Sequence, residues 1–229
     1  MAGIVGIDGN ETGKQAACVR MLDKITHRGD AGSKIVDSHD IMLGAVWPRV
    51  QVAPTAPTLQ KRAAWDGDRP PLLDPSIPAR ERKPFALAAA TPEGVFLARD
   101  RLGISPLYYG RTDDGALCFA SEVKALLEVT EHVREFPAGT WYRGEEGFQT
   151  FAELELGSTL DQDSDEIASE LRLRLEQAVC RRIDGDVMGS WLSGGLDSSA
   201  MVALARPHVR QLHTFAAGLA DAPDLAFAR

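Results

Sequence analysis

The sequence predicts an α+β domain built from many short strands, followed by the start of an α/β domain with a parallel sheet. Short apolar segments separated by turn residues recur over residues 4–120, with one early helical pattern among them. A polar, acidic stretch at residues 157–165 separates this region from an amphipathic helical pattern. An apolar run, a glycine turn, a helix and a second apolar run then follow in the order of a parallel α/β unit.

The first predicted elements are a strand at Ile4–Ile7 and a helix after it. Either Asn10 or Thr12 can cap the start of this helix, because both side chains can accept a hydrogen bond from a free backbone N–H group. Four apolar residues recur at helical spacing, namely Cys18, Met21, Leu22 and Ile25. This spacing predicts one buried face on a helix that ends at the polar run 27–30.

Further short strands are predicted along the first domain, at Lys34–Val36, Ile41–Val46 and Arg62–Trp65. A turn is predicted at Asp66-Gly67, and the proline-rich, charged segment Arg69–Lys83 predicts a surface loop. Two hairpins follow, which pair Phe85–Ala90 with Val95–Arg99 and Leu107–Gly110 with Ala116–Ala120. Many strands with one helix are typical of a sheet-rich α+β domain.

The second part opens with apolar residues at every fourth position, namely Ile167, Leu171, Leu175, Val179 and Ile183. This spacing predicts an amphipathic helix whose apolar face needs a partner. A strand at Val187–Leu192, a helix at Ala200–Ala205 and a strand at Leu212–Ala217 follow. Two parallel strands cannot form a stable two-sided sheet alone, so we expect another chain, or a second copy of this one, to complete it.

The turn in this unit carries the sequence Ser-Gly-Gly-Leu-Asp-Ser-Ser at residues 193–199. Paired glycines let the backbone approach a ligand closely, and the following helix N-terminus adds a partial positive charge. Both features are typical of a phosphate site, although the lysine of the G-x-x-x-x-G-K-[ST] loop is missing. Asp197 fits such a site if a divalent cation lies between it and the phosphates. The alternative is a plain glycine turn whose serines cap the helix.

Composition excludes several classes of protein. The 229 residues are 44% hydrophobic and 25% charged, which is ordinary for one large or two modest globular domains. No apolar run approaches the roughly 18 residues of a membrane span, and no signal peptide is visible. The net charge of −8 argues against a nucleic-acid partner. Three isolated cysteines without metal-ligand spacing indicate a reducing cytoplasm.

The run at residues 193–199 resembles the pyrophosphate loop of the ATP pyrophosphatase superfamily, and its flanks are similar to the glutamine-dependent asparagine synthetase family. Segments that resemble this family occur in family order, namely Gly3–Ile7, His27–Gly29, Ala98–Tyr109, Phe119–Leu126, Phe136–Gly139, Thr214–Leu219 and Pro223–Leu225. The most specific of these is Ala98–Tyr109, with the sequence ARDRLGISPLYY. The resemblance therefore covers almost the whole chain.

The resemblance implies an N-terminal-nucleophile hydrolase fold, with two sheets between helices, for a glutaminase-like domain at residues 1–157. It implies a partial ATP-binding synthetase domain at residues 158–229, with ATP and Mg²⁺ as cofactors and Asp197 as the metal ligand. The implied nucleotide-binding residues are Leu192, Ser193, Gly194, Gly195, Leu196, Asp197, Ser198, Ser199, Ala217 and Gly218. The implied reaction is attack of a small-molecule or peptide carboxylate on the α-phosphorus, which gives an acyl-adenylate and pyrophosphate.

The first domain departs from the family where glutamine would be hydrolysed. The resemblance implies a cysteine nucleophile directly after the initiator methionine, and this position is Ala2. The family's Asn-Gly oxyanion motif matches Asp66-Gly67-Asp68, and an anionic side chain is a poor donor to an oxyanion. Residues Pro70–Pro84 replace the Gly-Ser-Asp segment that holds the α-amino group of glutamine, and His27-Arg28-Gly29 lacks the family's next proline.

We therefore expect a naturally inactive glutaminase-like domain with no catalytic residue of its own, similar to relatives such as β-lactam synthetases. An engineered Cys→Ala substitution would explain Ala2 but not the missing segment. The expected remnant of the glutamine pocket consists of Arg28, Asp66, Gly67 and Asp68.

Other polar residues allow two interpretations. The run Arg99-Asp100-Arg101 is either a charged catalytic cluster or an ion-paired strand end and turn. His27, His132 and His213 are isolated in the sequence, and for each of them a structural role is expected.

Two functions remain open from the sequence. The first is an asparagine-synthetase-like ligase subunit that forms amides with ATP, together with a partner chain or as a homo-oligomer. The alternative is a truncated, non-catalytic family member that serves as a nucleotide-binding, assembly or regulatory subunit.

Overall fold

The computed structural model describes residues 2–9, 13–49, 59–60, 62–67, 83–159, 161–183, 185–219 and 222–228. The chain divides into two units, Met1–Leu156 and Gly157–Arg229. The predictions for Asn10, Thr12, Asp68 and most of the loop Arg69–Lys83 fall outside the described residues.

The described residues form the following elements. The strands are β1 (Gly3–Asp8), β2 (Gly32–Ser38), β3 (Ile41–Trp47), β4 (Leu59–Gln60), β5 (Ala63–Gly67), β6 (Phe85–Thr91), β7 (Gly94–Arg99), β8 (Tyr108–Arg111), β9 (Leu117–Ala120), β10 (Arg134–Glu135), β11 (Thr140–Arg143), β12 (Gly147–Thr150), β13 (Val187–Trp191) and β14 (Gln211–Phe215). The helices are α1 (Lys14–Asp23), α2 (Val123–Leu126), α3 (Ser164–Cys180), α4 (Leu196–Ala205) and α5 (Asp224–Phe227).

The first unit consists of two antiparallel sheets. One has the strand order β10-β8-β9-β1-β3-β2, and the other has the order β12-β11-β7-β6-β5-β4. Residues from both sheets share one buried cluster, including Ile4, Leu43, Ala88, Leu97 and Phe119. The two sheets therefore pack face to face around a common apolar core.

The outer face of the first sheet is covered by α1 and α2. Val5 on β1, Cys18 and Met21 on α1 and Leu126 on α2 belong to a second buried cluster. Successive strand residues point to opposite faces, so Ile4 enters the core between the sheets and Val5 contacts the helix layer. Burial of β1 on both faces explains why its sequence is continuously apolar rather than alternating.

The predicted strands and both predicted hairpins of the first unit are confirmed. The N-cap of helix α1 is Gly13, which has a left-handed conformation with φ of 87°. One detail of the predictions is wrong. Strand β5 continues through Asp66 and Gly67, which were predicted as a turn, because both residues pair with β6.

The second unit contains a parallel pair of strands, as predicted. Val187 on β13 is paired with Gln211 on β14, and Trp191 with Phe215. Helix α3 ends at Cys180, before the predicted Ile183, and its N-cap Asp163 accepts hydrogen bonds from two backbone N–H groups. Helix α4 begins at Leu196 rather than Ala200, so the second half of the glycine-rich run is helical.

The second unit buries little apolar surface. Among its described residues, only Ala205 and Val209 are buried hydrophobic residues. Leu171 on α3 is 55% exposed, Trp191 on β13 is 74% exposed and Phe215 on β14 is 55% exposed. One face of the parallel pair and the first half of the apolar stripe of α3, Ile167 and Leu171, are therefore uncovered. No helix in the described ranges combines the length and the apolar character needed to cross a membrane.

Candidate functional site

The glycine-rich run of the second unit lies between the end of β13 and the start of α4. The Leu192 N–H donates to the Phe215 carbonyl at 2.8 Å, which fixes the start of the run to the neighbouring strand. Gly194 has φ of 92°, a left-handed conformation that glycine adopts at little cost, and Gly195 is the N-cap of α4. The turn therefore places the free N–H groups of a ten-residue helix directly after a strand.

Serine side chains hold this turn. The Ser193 N–H donates to Ser198 Oγ at 3.1 Å, and the two hydroxyl oxygens lie 2.9 Å apart. Ser198 Oγ also donates to the Gly195 carbonyl at 3.2 Å, and the Gly195 N–H donates to Ser193 Oγ at 3.3 Å. The serines thus stabilise the turn, as expected if their role is to cap the helix. Their hydroxyls also lie close to the N-terminus of α4.

The chain after β14 approaches the same turn. A Cβ atom on Gly194 would overlap the Asp224 carbonyl oxygen of α5, and one on Gly218 would lie 3.3 Å from the Leu225 side chain. The turn and the segment that contains Ala217 and Gly218 are therefore brought together around α5, at the carboxyl end of the parallel strands. Leu196, Ser199 and Ala217, the other predicted nucleotide-binding residues, lie in or beside this region.

Asp197 lies in the first turn of α4 and is exposed. No group of three or more metal-ligating side chains that could hold a metal ion occurs in the part of the chain that the structure describes. Mg²⁺ commonly keeps several waters and binds one or two carboxylates together with substrate phosphates. A single exposed carboxylate beside a helix N-terminus is compatible with this mode of Mg²⁺ binding.

In the first unit, Ala2 lies at the start of β1 beside Arg28. The Arg28 Nε–H donates to the Ala2 carbonyl at 2.7 Å. The Nη2 group of Arg28 donates to Asp66 Oδ2 at 2.6 Å, and its Nη1 group donates to Glu122 Oε1 at 3.2 Å. The Arg28 side chain is 8% exposed and that of Asp66 is 4% exposed. The structure thus brings Arg28 next to Ala2 and next to Asp66, which Gly67 follows in the chain. The fourth predicted pocket residue, Asp68, lies outside the described residues.

Glu122 belongs to this group although sequence reasoning missed it as a site residue. It contacts Arg28, His27 Nε2 at 2.9 Å and Lys124 Nζ at 3.1 Å. Burial alone would raise the pKa of Glu122, but the hydrogen bonds from Lys124, Arg28 and His27 outweigh it and lower the pKa. The sequence feature that could have identified Glu122 is its position in Phe119–Leu126, one of the segments that resemble the asparagine synthetase family.

The electrostatics of Asp66 differ from those of Glu122. Burial raises the pKa of the Asp66 carboxyl, and the Arg28 guanidinium only partly offsets this effect. The backbone is also constrained, because Gly67 has φ of 86° and a Cβ atom there would overlap the Pro84 carbonyl oxygen. Residue 66 is the position at which the family resemblance implies an oxyanion donor. In this chain it is a buried aspartate whose carboxylate already accepts a hydrogen bond from Arg28.

The run Arg99-Asp100-Arg101 is organised around the backbone. Asp100 accepts hydrogen bonds from the N–H groups of Leu102, Ile104, Ser105 and Phe85. Arg99 donates to the carbonyls of Gly103, Ser105 and Phe136 and to the Glu135 carboxylate. This geometry favours the structural interpretation over a catalytic cluster, because both buried side chains are used to shape the loop after β7.

The histidines take separate positions. His27 contacts Glu122, and the backbone N–H of His132 donates to Thr130 Oγ1. His213 lies on β14 and is exposed. The described positions of these histidines are compatible with the expected structural roles.

Two family models match this chain. Residues 84–149 match a glutamine amidotransferase domain, and residues 170–229 match asparagine synthase. Asparagine synthetase B [glutamine-hydrolyzing] of Escherichia coli strain K12 is 35% identical over 63% of this chain and 29% of its own length. Asparagine synthetase [glutamine-hydrolyzing] 2 of Arabidopsis thaliana is 36% identical over 63% of this chain and 27% of its own length. The chain spans less than a third of the length of these curated relatives.

A solved structure of the allosteric regulatory enzyme of purine biosynthesis is similar in fold. It has a TM-score of 0.50 and 17% sequence identity, and the match covers 91% of this chain and 64% of that chain. Together with the amidotransferase match, this similarity confirms the predicted N-terminal-nucleophile hydrolase type of fold for the first domain. The predicted resemblance to the asparagine synthetase family is also confirmed.

Proposed function

We propose that this chain, which resembles the asparagine synthetases in both of its units, is an ATP-dependent, amide-forming ligase subunit with an inactive glutaminase domain. The observation that carries the proposal is the turn between β13 and α4. It combines a left-handed Gly194, a helix N-terminus and two serine hydroxyls at the carboxyl end of parallel strands. A triphosphate is the ligand that such a turn suits best.

In the proposed reaction, this turn binds the β- and γ-phosphates through its N–H groups and hydroxyls. The backbone near Leu192, Ala217 and Gly218 holds adenine and ribose, so the α-phosphorus faces an incoming carboxylate. The carboxylate oxygen bonds to the α-phosphorus and the bond to the pyrophosphate oxygen breaks, which leaves an acyl-adenylate. The helix N-terminus stabilises the departing charge. Mg²⁺ held at Asp197 would supply further charge neutralisation when bound.

The test of this proposal is ATP binding with Mg²⁺, measured by calorimetry on the full chain. We expect Asp197→Asn to weaken binding by about 5- to 150-fold, which corresponds to a loss of about 1–3 kcal/mol for a charged partner. Asp161→Asn is the matched control, because Asp161 is another exposed acid of the same unit that lies outside the turn. Equal affinities for wild type and Asp197→Asn would refute the assignment of this residue.

The proposed loss of glutaminase activity rests on Ala2 and on the ion pair of Asp66 with Arg28. Alanine has no nucleophilic atom, and an ionised Asp66 cannot donate a hydrogen bond to an oxyanion. We expect wild type and Ala2→Cys to release no more glutamate from glutamine than a heat-inactivated sample does. Glutamate release by Ala2→Cys well above that background would show that the rest of the site is intact.

The uncovered surface of the second unit supports a partner in the proposal. Leu171, Trp191 and Phe215 expose apolar area that other parts of a parallel sheet would normally cover. We propose that further strands, from a second chain or a second copy, cover these residues. We also propose that the protein works in a reducing cytoplasm. A monomer in light scattering that binds no apolar dye would contradict this.

The alternative function is a nucleotide-binding, assembly or regulatory subunit without catalysis. The observation that favours it is the sparse core of the second unit, in which few described apolar side chains are buried. The two functions differ in one measurable product, because only the ligase releases pyrophosphate from ATP when a carboxylate substrate is supplied.

A further inference from the structure

Helix α3 is covered along one side only. It contacts α4, and Leu175 and Val179 in its second half are half-buried. Apolar residues at every fourth position shift by about 40° per step around a helix of about 3.6 residues per turn, so the start of the stripe turns away from this contact. Ile167 and Leu171 are accordingly 38% and 55% exposed.

The exposed side of α3 forms a narrow line, here called the α3 seam. With about 100° of rotation per residue, six exposed residues lie within about 60° of one direction around the helix axis, namely Asp163, Ile167, Glu170, Leu171, Arg174 and Arg181. The seam begins with an acid, carries two apolar side chains in its first half and ends with an arginine. Such a line is typical of a helix that packs against another helix.

Charges of opposite sign lie at the two ends of α3. Three acids are found at its start and two arginines follow at its end, namely Asp163, Asp165, Glu166, Arg181 and Arg182. Within the described ranges, the ion pairs of α3 join Glu170 to Arg174 and Glu176 to His208, and they involve none of these five residues. These signs also suit the helix dipole, but the dipole does not account for the exposed apolar residues between them.

We propose that the α3 seam binds the α3 seam of a second copy of this chain, with the two helices antiparallel. A two-fold axis near residue 172 places Asp163 and Glu166 of each copy beside Arg181 of the other. A parallel pair would instead bring acid against acid and base against base. The seam is thus complementary to itself in one direction, and this complementarity identifies the occupant as a second copy.

The same axis matches the apolar residues of the two seams. It places the two Leu171 side chains next to each other and Ile167 over Ala178 of the second copy, whose small side chain lets the helices approach closely. A helix of 17 residues is about 26 Å long, so one pair buries less surface than a standard stable interface. We therefore expect a weak dimer that forms at micromolar concentrations.

This dimer goes beyond the proposed function and does not depend on the ATP site, because no residue of the glycine-rich turn belongs to the seam. Leu171 lies on a helix, and a second helix covers it. Trp191 and Phe215 lie on strands, and they remain available to the further strands proposed above.

Sedimentation velocity on the full chain, between about 1 and 200 µM, tests the dimer. Wild type is expected to change from monomer to dimer over this range. Raising the salt from about 50 to 500 mM should raise the dissociation constant about fivefold or more, because ions screen exposed charges. Leu171→Glu places like charges together at the centre of the dimer and should stay monomeric. Leu102→Glu is the matched control, because Leu102 is also 55% exposed but lies in the first unit, and it should dimerise as wild type does.

Charge reversal tests the antiparallel direction. Arg181→Glu and Glu166→Arg each bring like charges together between the copies, so each should weaken the dimer about tenfold or more. The double variant Glu166→Arg, Arg181→Glu restores opposite charges and should dimerise within about threefold of wild type. Far-UV circular dichroism checks that each variant keeps its helices, which is expected because both side chains are exposed.

Several results would overturn the proposal. Wild type could remain monomeric at every concentration, or Leu171→Glu could associate as tightly as wild type. An affinity that salt and the single reversals leave unchanged would show that the copies meet through another surface, and a double variant as weak as the single ones would exclude the antiparallel pairing. The ATP titration of Asp197→Asn reports on the glycine-rich turn alone, so the two proposals can fail separately.

Discussion

Replacing Arg28 with Met is expected to lower the free energy of unfolding by about 3–5 kcal/mol at pH 7, the usual cost of removing one partner of a buried ion pair. The substitution leaves the Asp66 carboxylate buried without its cation and removes the donor to the Ala2 carbonyl. Glu122 keeps His27 and Lys124, so it contributes less to the loss. Urea unfolding monitored by tryptophan fluorescence measures the change.

The pH dependence of this loss has a definite sign. A carboxyl group whose pKa is raised in the folded state contributes stability that is present below its unfolded pKa and is lost as pH rises through the folded pKa. Removing Arg28 raises the folded pKa of Asp66 further, so the deficit of Arg28→Met should be smaller in acid than at pH 7. The double variant Arg28→Met, Asp66→Asn should regain part of the stability at pH 7.

Arg20→Met is the matched control for this prediction. Arg20 is half-exposed, and its Nε lies 3.7 Å from a carboxylate oxygen of Glu128 on the surface. Exposed ion pairs contribute about 0–1 kcal/mol, so this variant should unfold close to wild type. A similar loss in Arg20→Met and Arg28→Met would show that the effect does not come from the buried pair.

Local patterns in the sequence predict most of the first unit because its strands are strongly apolar and its hairpins carry clear turn residues. The pairs β6–β7 and β8–β9 form as predicted around their turns. Strands β4, β10, β11 and β12 are not predicted. Strands β10 and β12 are short and mostly exposed, and therefore have no apolar alternation. Their pairing with β8 and β11 comes from tertiary contacts that a local pattern does not contain.

The two candidate sites, the glycine-rich turn and the group around Arg28, also differ in how much of them the sequence predicts. The glycine-rich turn is a local feature, so its residues and its place between a strand and a helix follow from the sequence. The Arg28 contacts are not local, because Asp66 and Glu122 lie 38 and 94 positions away along the chain. No periodicity indicates which carboxylates meet an arginine, and only the family resemblance pointed to Asp66.

Replacing Gly194 with Ala is expected to disrupt the turn and to abolish measurable ATP binding under the proposed function. A left-handed backbone costs a non-glycine residue about 1–2 kcal/mol. The larger effect is steric, because the added Cβ would overlap the Asp224 carbonyl oxygen, and a backbone atom cannot rotate away as a side chain can. Either the turn or α5 must move, and both lie where the phosphates are proposed to bind. Calorimetry with ATP and Mg²⁺ measures the loss.

Gly195→Ala separates this steric effect from a general intolerance of side chains in the turn. Gly195 has φ of −75°, which alanine adopts freely, and a Cβ atom there would lie 3.5 Å from its nearest neighbour, Ser193 Oγ. This variant should therefore lose only the small stability expected when alanine replaces glycine at an N-cap, whereas Gly194→Ala should unfold at a clearly lower midpoint. Wild-type ATP affinity in Gly194→Ala would contradict the proposed role of the turn. Weaker ATP binding by a fully stable Gly195→Ala would instead show that phosphate approaches the backbone at Gly195 too closely for a side chain.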